Sequence, residues 1–223
     1  MLSFPSLNPA RSRAVGALRR LSGSRGAAAA LKLGPTQGRE LERNAAIDSG
    51  PTMPALDRFD GVLYEGLGVP TLPVEARTFA HDHVAVASAL FGLLGPDDPI
   101  PAYRLSPDSR LPRTPLKALW TPVVSASLAS HHGLILDLRS EAYAALGPAP
   151  RREDSWYLRV VADGDGGRRR ALNHFNKKAK GEFTRALVLA GVEHEDAESV
   201  LGWAATAGIR LERGAPGELT LVV

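Results

Sequence analysis

The sequence predicts mixed α and β structure (α/β mixed, α+β) around a central, mostly buried sheet flanked by helices. Three observations carry that prediction. Several stretches place apolar residues three and four apart, as one helix face requires. Short runs rich in Val, Ile and Leu end at glycines or Asp-Gly turns, as strands do. The segment "GLILDLRSEAYAAL" passes directly from a buried strand into a capped helix. With 223 residues, 44% of them hydrophobic, the chain can bury a sizeable core, and a single compact domain over residues 1–223 is expected, with a basic helical part at 1–50 and an α/β core at 51–223.

The first 30 residues hold Arg, Ser and Ala but no acid, a composition shared with organellar transit peptides. "NPARSRAVGALRRL" nevertheless begins with a cap-like Asn8 and Pro9, and Val15, Leu18 and Leu21 follow at helical spacing, so an amphipathic helix is expected there. "AAAALKLGPTQGRELERNAA" reads as helix, turn and helix, with Gly34 stopping the first and Pro35 and Thr36 turning the chain. Outward-facing amides after such a hairpin can hold a phosphate.

Between Ala55 and Ile100 short apolar runs alternate with turns, around a helical "VEARTFAHDH". Val84 and Val86 predict one buried strand ending at the glycines of "VAVASALFGLLGP". A proline-rich loop follows, then the helix "LKALWTPVVSASLASHH", in which Pro122 marks a first turn or a kink. Leu134 to Leu138 form the strand of the strand-to-helix step; Ser140 caps the helix and Glu141 suits its first turn. "SWYLRVVADGDGGRRRALNHF" predicts a β-hairpin turning at residues 163–167 and leading into a basic helix. An acidic helix near "EHEDAESVL" and two strands, "AGIRLER" and "ELTLVV", complete the pattern.

Charge is unevenly placed. Residues 1–45 hold eight Lys/Arg against two Asp/Glu, and residues 151–185 hold ten against five, within a chain whose net charge is only +3. Two such blocks fit a phosphate-bearing partner as well as they fit two solvated faces. The second block includes "NHFNKKAKGEFTRALV", which sets Lys177, Lys178 and Lys180 in the first turns of a helix, against the sign of its dipole. Phe175, Ala179, Phe183 and Leu187 share the apolar face, Lys177, Lys178 and Arg185 lie opposite, Lys180 flanks, and Gly181 points away from the core. Close approach by a partner's backbone would explain that glycine, and an anion site would explain the lysines.

Other chemistries find less support. The chain has no cysteine, which excludes disulfides and thiolate chemistry. No apolar run reaches the roughly 18 residues of a membrane span. His81-Asp82-His83 and His131-His132 lack ligand spacing on one helical face, so neither a metal nor another cofactor is expected. Walker-type and Gly-x-Ser-x-Gly signatures are missing; Asp137, Arg139 and Glu141 at a strand's carboxyl end are the best catalytic candidates, and a salt bridge with a helix cap explains them as well. No catalytic residue is therefore assigned, and the reading leans away from an enzyme.

Four segments, in order, resemble the YaaA family of peroxide-stress proteins: "FDGVLYEGL", "SALFGLLGPDDPIPAYRL", "ILDLRSEAY" and "NHFNKKAKGEFTRAL". The matching positions are Gly61, Tyr64, Gly66 and Leu67, then Gly92, Pro101, Tyr103 and Arg104, then Asp137, Ser140 and Tyr143, and finally the Lys-Lys-Ala-Lys-Gly run. The resemblance implies a cytoplasmic bacterial protein of the oxidative-stress response, linked to iron homeostasis, with a basic cleft and a helix-hairpin-helix-like element that binds double-stranded DNA. On that basis Lys177, Lys178, Lys180, Gly181 and Arg185 are the expected phosphate contacts, joined by Lys32, Gly34, Thr36 and Arg39 of the hairpin region. Family members open with a buried strand, whereas this chain opens "MLSFPSLNPARSR", so the first family strand is expected to be missing or to lie before the stated start. The alternatives are an enzyme on a phosphorylated small molecule, with Lys177 and Lys178 as clamps and Asp137, Glu141 or His174 as acid or base, and an iron-binding protein.

Overall fold

A computed structural model describes the backbone at residues 1–163, 169–171 and 175–223, and side chains at all of these except 163, 169–171 and 175. Along the chain come α1 (Asn8–Ser22), α2 (Ala27–Ala30), α3 (Arg39–Ala45), β1 (Thr52–Pro54), α4 (Ala55–Arg58), α5 (Val62–Leu67) and α6 (Val74–His83). Then follow β2 (Val86–Ser88), β3 (Gly92–Leu94), β4 (Pro99–Pro101), α7 (Leu116–Ala129), β5 (Ile135–Asp137) and α8 (Glu141–Ala144). The last elements are β6 (Ser155–Asp163), β7 (Arg169–Ala171), α9 (Phe175–Ala190), α10 (Ala197–Thr206), β8 (Leu211–Arg213) and β9 (Glu218–Val222). The fold is mixed α and β, as the sequence predicts. Among the described residues no helix is long and apolar enough to cross a membrane.

These elements gather into two compact units, each assembled from separated stretches of chain. One comprises Met1–Arg58, Val84–Ser130 and Glu141–Pro148; the other comprises Phe59–His83, His131–Ser140 and Ala149–Val223.

In the first unit the core gathers around Trp120, which is fully buried with Leu7, Leu18, Leu31, Leu90, Leu94 and Ile100. Its indole N–H donates to the Ala89 carbonyl at 2.9 Å, so the one polar atom of this large side chain is satisfied. The expected single strand at 84–94 is instead a tight antiparallel hairpin, with Val86 opposite Leu94 and Ser88 opposite Gly92. Two features force the reversal. The Ser88 hydroxyl accepts from the amides of Leu90 and Phe91, forming a side-chain turn, and Gly92 adopts a left-handed φ of 73°. A Cβ at Gly92 would lie 2.6 Å from Leu7 and 2.9 Å from Trp120. Pro122 lies within α7, leaving the Ala118 carbonyl without its helical donor. The Thr121 and Ser125 hydroxyls of α7 donate to the carbonyls of Leu146 and Pro148, fastening the segment after α8.

Arg11 of α1 is buried, 4% exposed, and the sequence pattern gives no hint of it. Its guanidinium donates to the carbonyls of Phe91 (2.9 Å), Leu93 (2.6 Å) and Ser3 (2.7 Å) and to Asn8 Oδ1 (2.8 Å). The planar fork satisfies carbonyls in the hairpin's turn, on β3 and at the start of the chain at once, which a lysine could not do. Nearby Asp98 accepts from the Ser3 amide and hydroxyl and from the Gly95 amide, tying down the start of the chain.

The second unit is built on a five-stranded sheet in the order β5-β6-β9-β8, with β7 also paired to β6. β5, β6 and β9 run parallel, while β8 and β7 are antiparallel to their partners. Leu158 and Val160 of β6 and Leu219 and Leu221 of β9 alternate onto one face, where they pack with Ala179 and Phe183 of α9 and Val200 and Ala204 of α10. Asp196 caps α10 by accepting from the Ser199 amide at 2.8 Å. The expected hairpin of β6 and β7 is present, with Val161 opposite Ala171; its turn at 164–168 lies outside the described residues. Across β6 and β9, Arg159 forks onto Glu218 with bonds of 2.9 and 2.6 Å.

Two outcomes are expected. Arg11→Met should cost about 3 kcal/mol in urea unfolding, since it strands several buried carbonyls. The Glu218 carboxyl is held below its ordinary value, chiefly by the hydrogen bond from Arg159 and despite some desolvation. Its pKa is depressed on folding, so its contribution is present above the unfolded value of about 4.3 and lost as pH falls through the folded one. Arg159→Gln should therefore lower the melting temperature at neutral pH, with the gap from wild type closing below about pH 4.

Candidate nucleic-acid interface

The basic helix α9 is built against α5, and the contact is backbone on backbone. A Cβ on Gly181 of α9 would lie 2.0 Å from the Leu63 carbonyl oxygen, and one on Gly66 of α5 would lie 2.5 Å from the Lys178 carbonyl oxygen. No side chain fits at either position, so both glycines serve the crossing of two helices. The close neighbour inferred for Gly181 is thus this chain's own α5 rather than an external partner.

Around the crossing, the other residues of "GVLYEGL" set α5 in place. Gly61 precedes it with a φ of 102°, Gly68 ends it in the left-handed region at 62°, and Leu67 is 3% exposed. Tyr64 stacks on Phe59 with ring centroids 5.6 Å apart. Arg185 donates from Nη1 to the carbonyls of Leu67 (2.9 Å) and Gly68 (3.0 Å), capping α5 from the side. Arg185 is engaged in holding the two helices together.

Lys180 also differs from its expected place on the flank. It is 3% exposed, its ammonium lies 4.5 Å from the centroid of the Tyr157 ring, and it donates to the Arg139 carbonyl at 3.1 Å. A buried ammonium requires such partners to offset lost hydration. Arg139 in turn forks onto Asp137, at 2.7 and 2.6 Å, while its own amide donates to the same carboxylate. The carboxyl end of β5 therefore carries an ion pair, with both Asp137 oxygens occupied. Tyr157, which gathers Lys180 on one side and has the Arg159 guanidinium 5.7 Å from its centroid, carried no sequence signal.

Lys177 and Lys178 remain on the surface, in the opening turns of α9, where the first turn holds no acidic residue. Lys178 makes an exposed ion pair with Glu182 one turn on, at 3.5 Å, an interaction worth little in water. Asn173 and His174 lie outside the described residues.

The hairpin-region residues belong to the first unit. α2 and α3 are short, and Lys32 between them adopts a left-handed φ of 54°. The Gly34 amide donates to Gln37 Oε1 at 2.8 Å, closing the turn, and Thr36 and Arg39 are exposed. Lys32 pairs with Asp108, and its hydrogen bond is the main reason that the Asp108 carboxyl is held below its ordinary value. Asn44 of α3, fully buried, donates to the Arg104 carbonyl at 2.9 Å and accepts from its amide at 2.8 Å, the two-point pairing of a strand. Pro101 pairs with Thr52, Tyr103 shares a 2.6 Å hydrogen bond with Ser88, and the Tyr103 ring meets Phe91 edge-on. Burial raises the Tyr143 phenol's pKa; Arg104 pulls it down and Asp108 pushes it up, which places all three in one polar neighbourhood. Gly92, Pro101, Tyr103 and Arg104 thus shape and hold this unit. Ser140 is exposed and directly precedes α8 in the chain. Among the described residues no group of three or more His, Asp or Glu is placed to hold a metal ion.

The helix crossing makes a direct expectation for stability. Gly181→Ala should destabilise the fold by about 3 kcal/mol or more, because backbone must move to admit the methyl. Gly202→Ala in α10, with nothing within 4 Å of the added Cβ, should instead stabilise by about 0.5–1 kcal/mol. Paired thermal melts would check both signs.

The family model described as "Peroxide stress protein YaaA" matches residues 3–206. A UPF0246 protein of Corynebacterium glutamicum (strain R) is 39% identical over 229 residues, covering 100% of this chain and 90% of its own length. A UPF0246 protein of Corynebacterium efficiens is 38% identical with the same coverage, and one of Streptomyces coelicolor is 32% identical over 97% of this chain and 85% of its own. With the matched span covering most of the residues and relatives up to 39% identical along the whole chain, the chain belongs to the peroxide stress protein YaaA family.

Proposed function

We propose that this peroxide-stress protein binds double-stranded DNA without sequence preference, in the cytoplasm, and thereby helps limit iron-driven oxidative damage to it. The observation that carries the reading is the pair Lys177 and Lys178: exposed in the opening turns of α9, with no acidic residue in the first turn to balance the dipole. Exposed lysines at a helix start meet a phosphate with both their charge and the helix amides behind them. Lys32, Thr36 and Arg39 offer a further phosphate contact from the α2–α3 turn, with Lys32 exchanging its Asp108 partner for the phosphate. Contacts of this kind supply affinity and position and read no base sequence. An enzymatic role for Asp137 draws less support, since Arg139 occupies both of its carboxylate oxygens.

Binding to a fluorescent duplex across a salt series tests the proposal. Log affinity should fall linearly with log salt, and Lys177→Ala/Lys178→Ala should make the slope shallower by about 2. A folded wild-type sample that fails to bind at low salt would sink the reading; an unchanged slope in the double variant would remove α9 from the interface.

A further inference from the structure

A second basic feature lies within the first unit and uses none of these residues. Arg13 and Arg20 of α1 are seven residues apart, two helical turns, and so project from one face. With Arg113 they line a surface depression of about 420 Å³ that also holds Ser12 and Thr114, and no acidic residue lines it. All three arginines are exposed. Among the described residues none of them makes an ion pair, whereas Arg19, Arg43, Arg139, Arg159 and Arg213 each hold a carboxylate.

Three exposed guanidinium groups line one depression with no carboxylate among them to offset their like charge. The depression also borders the start of α7, a 14-residue helix with no side-chain cap and no acid in its first turn, where Lys117 stands instead. Each usual means of balancing this positive end is missing. Arg113 itself has a left-handed φ of 58°, a conformation that a non-glycine residue seldom adopts, at the entrance to Thr114, Pro115 and the helix. Arginine, with its planar fork, is the residue suited to hold a tetrahedral oxyanion at two points.

We propose that this depression is a binding site for a phosphate group, held by Arg13, Arg20 and Arg113 with the opening amides of α7. It stands independently of DNA contacts at α9. Inorganic phosphate is the probe, titrated calorimetrically at low salt into the full chain. Saturable binding of phosphate is expected, weakened at least tenfold in Arg13→Gln/Arg20→Gln. Arg25→Gln/Arg110→Gln, which removes the same charge from exposed arginines outside the depression, should bind like wild type. No phosphate binding, an unaffected Arg13/Arg20 variant, or an equal loss in the control pair would overturn the site. A duplex-binding arm tells the source of the phosphate. Weaker duplex binding by the Arg13/Arg20 variant, with competition by free phosphate, supports the site in its nucleic-acid form; unchanged duplex binding beside lost phosphate binding supports a small phosphorylated compound.

Discussion

The second unit depends on two helices whose backbones touch. Where α5 meets α9, a carbonyl of each helix lies where the other's Cβ would be, and this is open only to glycine at 66 and 181. Everything positioned by α9 follows from that approach. Its apolar face reaches Leu158, Val160 and Leu219 on the sheet, Lys180 is carried inward over Tyr157, and Arg185 arrives at the last carbonyls of α5. The lysines at 177 and 178 are left outside because the turn that buries Lys180 turns them away. A basic run in the sequence is thereby divided into charges that hold the protein together and charges that face solvent.

Much of the fold was legible because its signals are local. The α1 helix announces itself with Pro9 and spaced leucines, although Asn8 lies inside the helix and makes no cap bond, its side chain accepting from Arg11 instead; the β6–β7 pairing announces itself with the sequence Asp163-Gly164. Strand-to-helix order along 134–144 was equally plain. The hairpin at 86–94 is not legible in the same way, because its cause is a serine hydroxyl accepting two amides, a contact invisible to apolar periodicity. Short apolar runs do not reveal where a chain doubles back.

At the candidate site the sequence marks a basic helix but cannot sort its charges. Helical geometry places Lys180 beside Lys177 and Lys178; only the tertiary neighbours Tyr157 and Arg139 show that it is buried. Gly181 stands out in the sequence as a helical glycine in need of a neighbour, and the neighbour is this chain's own α5 rather than the expected partner, because nothing local says whose backbone approaches. Arg11 and Asn44 give no sequence signal for a related reason: each is a polar residue in a helix that looks solvated, and each is buried by carbonyls and amides from some 60 to 80 residues away.

The interleaving of the two units has a consequence for synthesis. The first unit needs Glu141–Pro148 to finish, and by then Phe59–His83 of the second has already been made without its sheet. During those intervening seconds on the ribosome, at roughly 5–20 residues per second, α5 exposes the groove that awaits α9. Neither unit corresponds to a stretch of gene that could be exchanged, duplicated or expressed alone. A cut anywhere between residues 60 and 147 divides both units together, whereas one nearer either end trims only one of them.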